Sequence, residues 1–300
     1  MANHDMESRK PAGNSGLPDS AQNSTKERCK DPAKLASLAR EVRKDILRML
    51  VEAKSGHTAG PLGMVEVFTA LYYACINHDP KNPQWDGRDR VILSNGHICP
   101  VHYAVLAEAG YFPREELLTL RKLGSRLQGH PHRGALPGIE NSSGPLGQGL
   151  AQACGVALAA RLDKKQFRTI ALLSDGEHDE GSTWEAVMFA AKYKLDNLVA
   201  IVDRNFIQID GDTETIMPLE PFADKYRAFG WNVIEIDGND FTQIISAYEK
   251  ARTVKGKPTV IIAKIIPGKG VKMFENNYKW HGKTPSADEA KAAIAEIDSK

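Results

Sequence analysis

The sequence predicts an α/β fold, a doubly wound and mainly parallel sheet with helices on both faces, and two observations carry that expectation. Short runs rich in β-branched residues recur at Arg90 to Leu93, Thr169 to Leu173, Leu198 to Val202, Asn232 to Ile236 and Thr259 to Ile265, and each reads as a buried strand. Helical stretches at 61 to 77, 146 to 162, 181 to 193 and 240 to 254 lie between them, an alternation that argues for parallel strands joined by crossovers. In such folds ligands sit outside the carboxyl ends of the strands, where loops lead into helix N-termini.

Taken in order, residues 1 to about 30 hold Pro, Gly, Ser, Asn and charges with almost no large apolar side chains. Such a segment cannot offset its ordering entropy and is expected to be a disordered tail, leaving 31 to 300 as the domain. From Asp31, a cap ahead of Pro32, the residues Leu35, Leu38, Ala39, Val42, Ile46, Leu47 and Leu50 recur at three- and four-residue steps and predict a docked amphipathic helix. The segment Ser143-Gly144-Pro145-Leu146-Gly147-Gln148-Gly149 opens the helix predicted over 146 to 162, which carries the small residues Ala151, Ala153, Gly155, Ala157 and Ala159. Glycines there permit close backbone approach to a ligand or simply to another helix.

Composition narrows the function classes. The 300 residues are 42% hydrophobic and 26% charged, the make-up of a soluble globular chain. With 39 Lys and Arg against 38 Asp and Glu, the formal charge is +1, and no overall field points to nucleic acid or an anionic membrane. No run approaches the roughly 20 apolar residues of a membrane span and the N-terminus lacks a secretory apolar core, so the cytoplasm is the expected compartment. Cys29, Cys75, Cys99 and Cys154 show no C-x-x-C spacing and are read as reduced thiols, with Cys99 a buried or half-buried one rather than a nucleophile.

Chemistry concentrates at the predicted strand ends. Leu172-Leu173-Ser174-Asp175-Gly176-Glu177 ends one strand, and Val202-Asp203-Arg204-Asn205-Phe206-Ile207 closes the next. An Asp and an Asn about 30 residues apart can then meet across adjacent strands. The Asp175 carboxylate, the Asn205 side-chain oxygen and a carbonyl near Ile207 would make a hard oxygen set for Mg²⁺ or Ca²⁺, with diphosphate oxygens filling the other positions. Gly176 would let the diphosphate approach the backbone, and the helix beginning near Gly181 offers free N–H groups. An ordinary turn competes with this reading, since Asp-Gly is a common turn pair.

Four histidines stand beside glycine in predicted loops: His57 in Ser55-Gly56-His57, His97 in Ser94-Asn95-Gly96-His97, His130 in Gly129-His130-Pro131 and His281 in Trp280-His281-Gly282. Each alone reads as a surface or hydrogen-bonded side chain. Together they suggest a site that moves protons onto and off sugar hydroxyls and carbonyls near neutral pH. Zinc is the rival explanation, but no H-x-x-x-H or C-x-x-C pair supports it.

Together these segments resemble the transketolase family. Ser55-Gly56-His57-Thr58-Ala59-Gly60-Pro61-Leu62-Gly63, Leu93-Ser94-Asn95-Gly96-His97, Gly129-His130-Pro131, Leu136-Pro137-Gly138-Ile139-Glu140 and Gly144-Pro145-Leu146-Gly147-Gln148-Gly149 follow one another in the family order, and the likeness runs from about residue 32 to residue 285. It implies the thiamine diphosphate-binding fold. Asp175 and Asn205 would bind Mg²⁺, Ca²⁺ or Mn²⁺ through side chains and Ile207 through its carbonyl, with Gly176 and Glu177 at the diphosphate. By the same likeness Gly144, Pro145, Leu146 and Gly147 flank the cofactor, Leu146 lying against its thiazolium. His97, His130 and His281 would line the diphosphate and substrate channel, His57 and His281 would transfer protons at the donor's hydroxyl, and Glu180 would link paired active sites across a dimer. Ser174 and Arg204 differ from the family pattern and leave the presumed ligands in place.

The resemblance also implies a partner. The family's catalytic glutamate lies in a pyrimidine-binding domain, and this sequence ends at Lys300 shortly after the His281 segment. The expectation is a C-terminal transketolase-like subunit that supplies the glutamate, the pyrimidine pocket and phosphate-binding arginines, in an α2β2 assembly. The reaction implied is transfer of a two-carbon ketol unit from a ketose, as its phosphate, to an aldose, with thiamine diphosphate as electron sink. Two alternatives are a subunit of a thiamine-dependent keto-acid-decarboxylating or acyloin-forming enzyme, and a non-catalytic cofactor-binding or regulatory module.

Overall fold

The alternation of apolar runs and helical segments closes into a single parallel sheet in the computed structural model, which describes residues 28–300. The expected tail lies outside the described residues up to residue 27. Arg28 and Cys29 are described and touch the body, Arg28 donating to Asn77 Oδ1 at 2.7 Å and the Cys29 amide to the Tyr73 carbonyl at 2.9 Å.

The strands are β1 (Arg90–Leu93), β2 (Thr169–Ser174), β3 (Leu198–Arg204), the two short strands β4 (Ile207–Gln208) and β5 (Gly211–Asp212), β6 (Asn232–Asp237) and β7 (Thr259–Lys264). The main sheet runs in the order β1-β2-β3-β7-β6, all parallel, and β4 pairs with β5 as a separate antiparallel ribbon. The helices are α1 (Pro32–Ala53), α2 (Ala59–Gly63), α3 (Val65–Ala70), α4 (Cys99–Ala109), α5 (Gly149–Leu162), α6 (Gly181–Lys192), α7 (Thr213–Ile216), α8 (Phe222–Ala228), α9 (Phe241–Thr253) and α10 (Ala287–Asp298).

Strand residues alternate between two apolar layers, as period-two geometry requires. Ile170, Leu172, Val199, Ile201, Ile261 and Ala263 face a layer built with Leu47, Phe68, Val105 and Ile244, from α1, α3, α4 and α9. Ala171, Leu173, Ala200, Val202, Val260 and Ile262 face the opposite layer, with Leu150, Val187, Phe222 and Tyr226 of α5, α6 and α8. Both faces of the central strands are therefore covered, which is why their sequences are continuously apolar.

Local expectations need three corrections. The helix expected over 61 to 77 is three pieces, α2, α3 and a π turn at Leu71–Cys75; beside the break at Met64, Gly63 packs on the segment just past β7, where a methyl group would meet Ile265 at 2.7 Å. The helix expected from 146 starts at Gly149, because Gly147 adopts φ +77°, outside helical space. The run at Asn232 forms a strand, but at the sheet edge, so among its residues only Ile236 is buried. All four cysteines are free; Cys75, Cys99 and Cys154 are buried, and burial pushes each thiol up to about 12. No helix of the described residues is long and apolar enough to cross a membrane.

Candidate active site

Three loops bring the histidines together. β1 releases Ser94-Asn95-Gly96-His97 into a short 3-10 turn before α4, His57 precedes α2, and His281 follows a second 3-10 turn at Tyr278–Trp280. Ring centroids lie 4.9 Å apart for His57 and His97, 5.6 Å for His57 and His281, and 5.2 Å for His97 and His281. Thr58 Oγ1 donates to the Lys283 carbonyl at 2.5 Å and fixes the His57 loop against the His281 loop. The glycine loop borders His130: a methyl group on Gly144 would meet that ring at 3.7 Å. All four sequence-predicted histidines thus belong to one neighbourhood.

Partial burial keeps the half-buried rings of His57, His97 and His281 neutral, because a charged imidazole loses its hydration there. His57 is held down at about 4, first by burial and then by His281, Arg121 and His130. His97 lies well below the ordinary range for the same leading reason, with His57, His281 and His130 adding to it. His130 stands exposed on its loop and is lowered only by the partial desolvation of its ring and then by Arg121, whereas half-buried His281 is lowered by burial.

The acid end stands at the tips of β2 and β3. Asp175 is 1% exposed; its Oδ1 accepts from the Gly176 amide at 2.8 Å, and its Oδ2 accepts from the Phe206 amide at 2.8 Å and from Arg204 Nη1 at 3.1 Å. Asn205 Nδ2 donates to Asp203 Oδ2 at 2.9 Å, which leaves Asn205 Oδ1 to accept from the Ile207 amide at 2.9 Å. Burial pushes Asp175 up to about 6 against the pull of those donors, and pushes Asp203 well above the usual carboxylate range, with Asp175 adding to it. Such desolvated carboxylates suit a divalent cation, which returns the charge compensation that water no longer gives.

The two ends are continuous. A methyl group on Gly282 would lie 3.6 Å from Ile209, just past β4, and 3.9 Å from His57 Nε2. The loops at the two ends hold seven buried side-chain atoms without a hydrogen-bond partner among the described residues, His57 Nδ1, Asn95 Oδ1 and Nδ2, Ser143 Oγ, Asp203 Oδ1, Gln208 Nε2 and His281 Nδ1, while others such as Thr69 Oγ1, His102 Nδ1 and Tyr248 Oη are scattered through the core. Native interiors pair such groups, so the ones in these loops are free to meet a polar ligand. Among the described residues no three His, Cys, Asp or Glu side chains form a metal cage, so a cation here needs the amide, carbonyl and diphosphate oxygens that the Asp175, Asn205 and Ile207 set provides for. At Gly176 a methyl group would meet only Gln208 Cβ, at 3.8 Å, so the fold itself does not require glycine there. These features fit a metal-bound diphosphate.

Other sequence-predicted residues lie nearby in different settings. Pro145 is exposed and Leu146 half-buried, while Gly147 is pressed on Glu180, whose Cβ would stand 2.6 Å from a methyl group there. Glu180 itself is exposed at the N-terminus of α6. Glu177 is fully buried and turned to the framework, accepting from Ser94 Oγ at 2.6 Å and the Ser174 amide at 3.0 Å. Arg121 carries no motif, yet it donates to Ser55 Oγ at 3.1 Å and its charge acts on His57 and His130; only the fold brings it there.

A parallel α/β sheet with polar and titratable side chains gathered at the carboxyl ends of its strands has the architecture in which such folds hold small ligands. Residues 34–297 match the family model described as transketolase, thiamine diphosphate binding domain. The chain is 43% identical over 262 residues to the 6-deoxy-6-sulfo-D-fructose transketolase subunit SqwG of Clostridium sp. strain MSTE9, covering 87% of this chain and 95% of that one. It is 41% identical over 258 residues to an apulose-4-phosphate transketolase subunit of Phocaeicola vulgatus, covering 86% and 92%. The solved transketolase of Campylobacter jejuni superposes with a TM-score of 0.85 at 34% identity, covering 89% of this chain and 43% of that one, so this chain spans less than half of that protein. The chain belongs to the transketolase family, a family of transferases, and carries its thiamine diphosphate-binding domain.

Proposed function

We propose that this chain is the diphosphate-holding subunit of a two-chain transketolase that moves a two-carbon ketol unit from a ketose phosphate to an aldose. The observation that carries the reading is the triangle of neutral histidines, ring centroids 4.9 to 5.6 Å apart, beside the Asp175 and Asn205 strand ends. Thiamine diphosphate, when bound, supplies the electron sink that the chemistry of carbonyl carbons requires.

The chain's own residues then divide the work. Asp175, Asn205 Oδ1 and the Ile207 carbonyl hold Mg²⁺, with Ca²⁺ or Mn²⁺ as substitutes, and Gly176 leaves the backbone open to the diphosphate. Gly144, Pro145, Leu146 and Gly147 flank the cofactor, with Glu177 setting the loop from below. His57 and His281, neutral and each with an unpartnered Nδ1, accept and return a proton at the donor's hydroxyl, while His97 and His130 donate hydrogen bonds along the channel. Glu180, exposed at a helix start, faces a second copy of the chain. The names of the relatives that this chain spans over 92% and 95% of their length contain the word subunit, which supports a partner chain that supplies the pyrimidine pocket and its glutamate. An α2β2 assembly in the cytoplasm follows from that reading.

The test is calorimetric binding of thiamine diphosphate with Mg²⁺ to this chain, alone and mixed with candidate partner chains, followed by a ketol-transfer assay. Turnover only in the mixture is the expected result. Turnover by this chain alone would overturn the partner, and binding without ketol transfer in any mixture would overturn the reaction.

A further inference from the structure

Arg204 is 1% exposed although it ends a strand beside the acid site. Its Nη1 donates to Asp175 Oδ2 at 3.1 Å and to Thr213 Oγ1 at 3.0 Å, and its Nη2 donates to Glu214 Oε1 at 2.5 Å and to Glu220 Oε1 at 2.9 Å. The guanidinium carbon lies 3.9 Å from the centroid of the Phe206 ring. All four terminal N–H groups are thus engaged, and a planar fork is the one side chain able to hold these partners at once.

The consequence for Asp175 is asymmetric. Its Oδ2 accepts two donors, the Phe206 amide and Arg204, whereas Oδ1 accepts only the Gly176 amide. A carboxylate oxygen has two lone pairs, so Oδ2 is saturated and Oδ1 keeps one free. We propose that Arg204 is a positioning residue for the cation site, one that fixes the Asp175 carboxylate so that Oδ1 is the oxygen left for a divalent cation and that locks residues 213–220 to the same anchor. This rests on the reading of Asp175 as a cation ligand.

Two effects oppose each other, and the geometry decides between them. A buried cation near a metal ligand repels the metal, so removing it would favour binding. Arg204 is already offset by Glu214 and Glu220 in addition to Asp175, three carboxylates around one charge, so that repulsion is largely cancelled. What removal takes away is the donor that orients Asp175, and losing an outer partner of a metal ligand commonly weakens the metal about 10–100-fold.

The test compares wild type, Arg204→Met, Arg204→Lys and Asp175→Asn as full chains with the partner subunit. Mn²⁺ affinity is read by electron paramagnetic resonance in the presence of thiamine diphosphate, and backbone order by hydrogen exchange. The expected result is Mn²⁺ binding lost in Asp175→Asn, weakened about 10–100-fold in Arg204→Met and partly restored in Arg204→Lys. Amides of 213–220 should lose protection in Arg204→Met while those of 198–202 keep it, which separates a local effect from unfolding. Loss of Mn²⁺ in Asp175→Asn with Arg204→Met equal to or tighter than wild type would overturn the positioning role alone. Equal binding in wild type and Asp175→Asn would overturn the cation reading and this inference with it.

Discussion

Ser94 Oγ donates to Glu177 Oε1 at 2.6 Å and accepts from the Gly149 amide at 3.0 Å, so one hydroxyl ties the end of β1 to the turn after β2 and to the start of α5. Glu177 receives the Ser174 amide on its other oxygen. The loops that carry His97, Leu146 and Asp175 therefore share one buried carboxyl group.

That carboxyl sets a pH dependence of stability. Burial pushes Glu177 up to about 7, opposed by the Ser94 hydroxyl and other donors. A raised acid contributes its stability fully below the unfolded value and loses it as pH rises through the folded one. Wild type should lose on the order of 3 kcal/mol through this group between about pH 4.5 and 7. Urea melts of Glu177→Gln should show a flatter profile over that window, and identical slopes for the two proteins would rule the group out.

Histidine titration gives a second check. With His57 held near 4, its ring stays neutral in the folded chain well below the ordinary range. The sign is that of a depressed base: its contribution is present above about 6.5 and is lost as pH falls toward 4. The acid limb of kcat/KM should therefore lie below about pH 6, and an NMR titration of His57 near 6.5 would contradict the burial argument.

Two glycines should separate framework from ligand. Gly147→Ala forces a side chain into φ +77° against Glu180 and should cost about 1–3 kcal/mol of stability by thermal melting. Gly176→Ala has room in the chain itself, so its Tm should match wild type while thiamine diphosphate affinity falls. A lower Tm with unchanged affinity for Gly176→Ala would assign that glycine to folding.

Removing chemistry at either end should have distinct effects. Asp175→Ala should abolish Mg²⁺-dependent cofactor binding, whereas His281→Ala should leave binding largely intact and slow kcat by about 10²–10⁴. Calorimetry and single-turnover rates distinguish the two, and equal cofactor affinity in wild type and Asp175→Ala would remove Asp175 from the metal site.

The parts of this molecule that are legible in sequence are those with a local signature. β-branched runs mark β2, β3 and β7 within two residues, and His57, His97, His130 and His281 announce themselves by their glycine neighbours. Helix α4 carries no such mark, because Cys99 to Ala107 is buried throughout, His102 included, and a fully buried helix shows no amphipathic period. Arg121 and Ser94 are equally silent about their partners: each acts through residues that are distant in sequence, Arg121 on His57 and Ser94 on Glu177. Helix α10 does have a local signature, since Ser286 and Glu289 form a capping box at its start, although the strand and loop motifs alone do not point to it.

The position of β7 between β3 and β6 also has a consequence for how the chain is made on the ribosome. β1, β2 and β3 emerge in sheet order, but the neighbour that completes β3 follows only after residues 205–258 have been synthesised. At about 5–20 residues per second that is a delay of roughly 3–10 s, during which an apolar strand offers an open hydrogen-bonding edge to other nascent chains. Protection of that edge by chaperones would raise the yield of native protein, and slowing translation across 205–258 would lengthen the exposure.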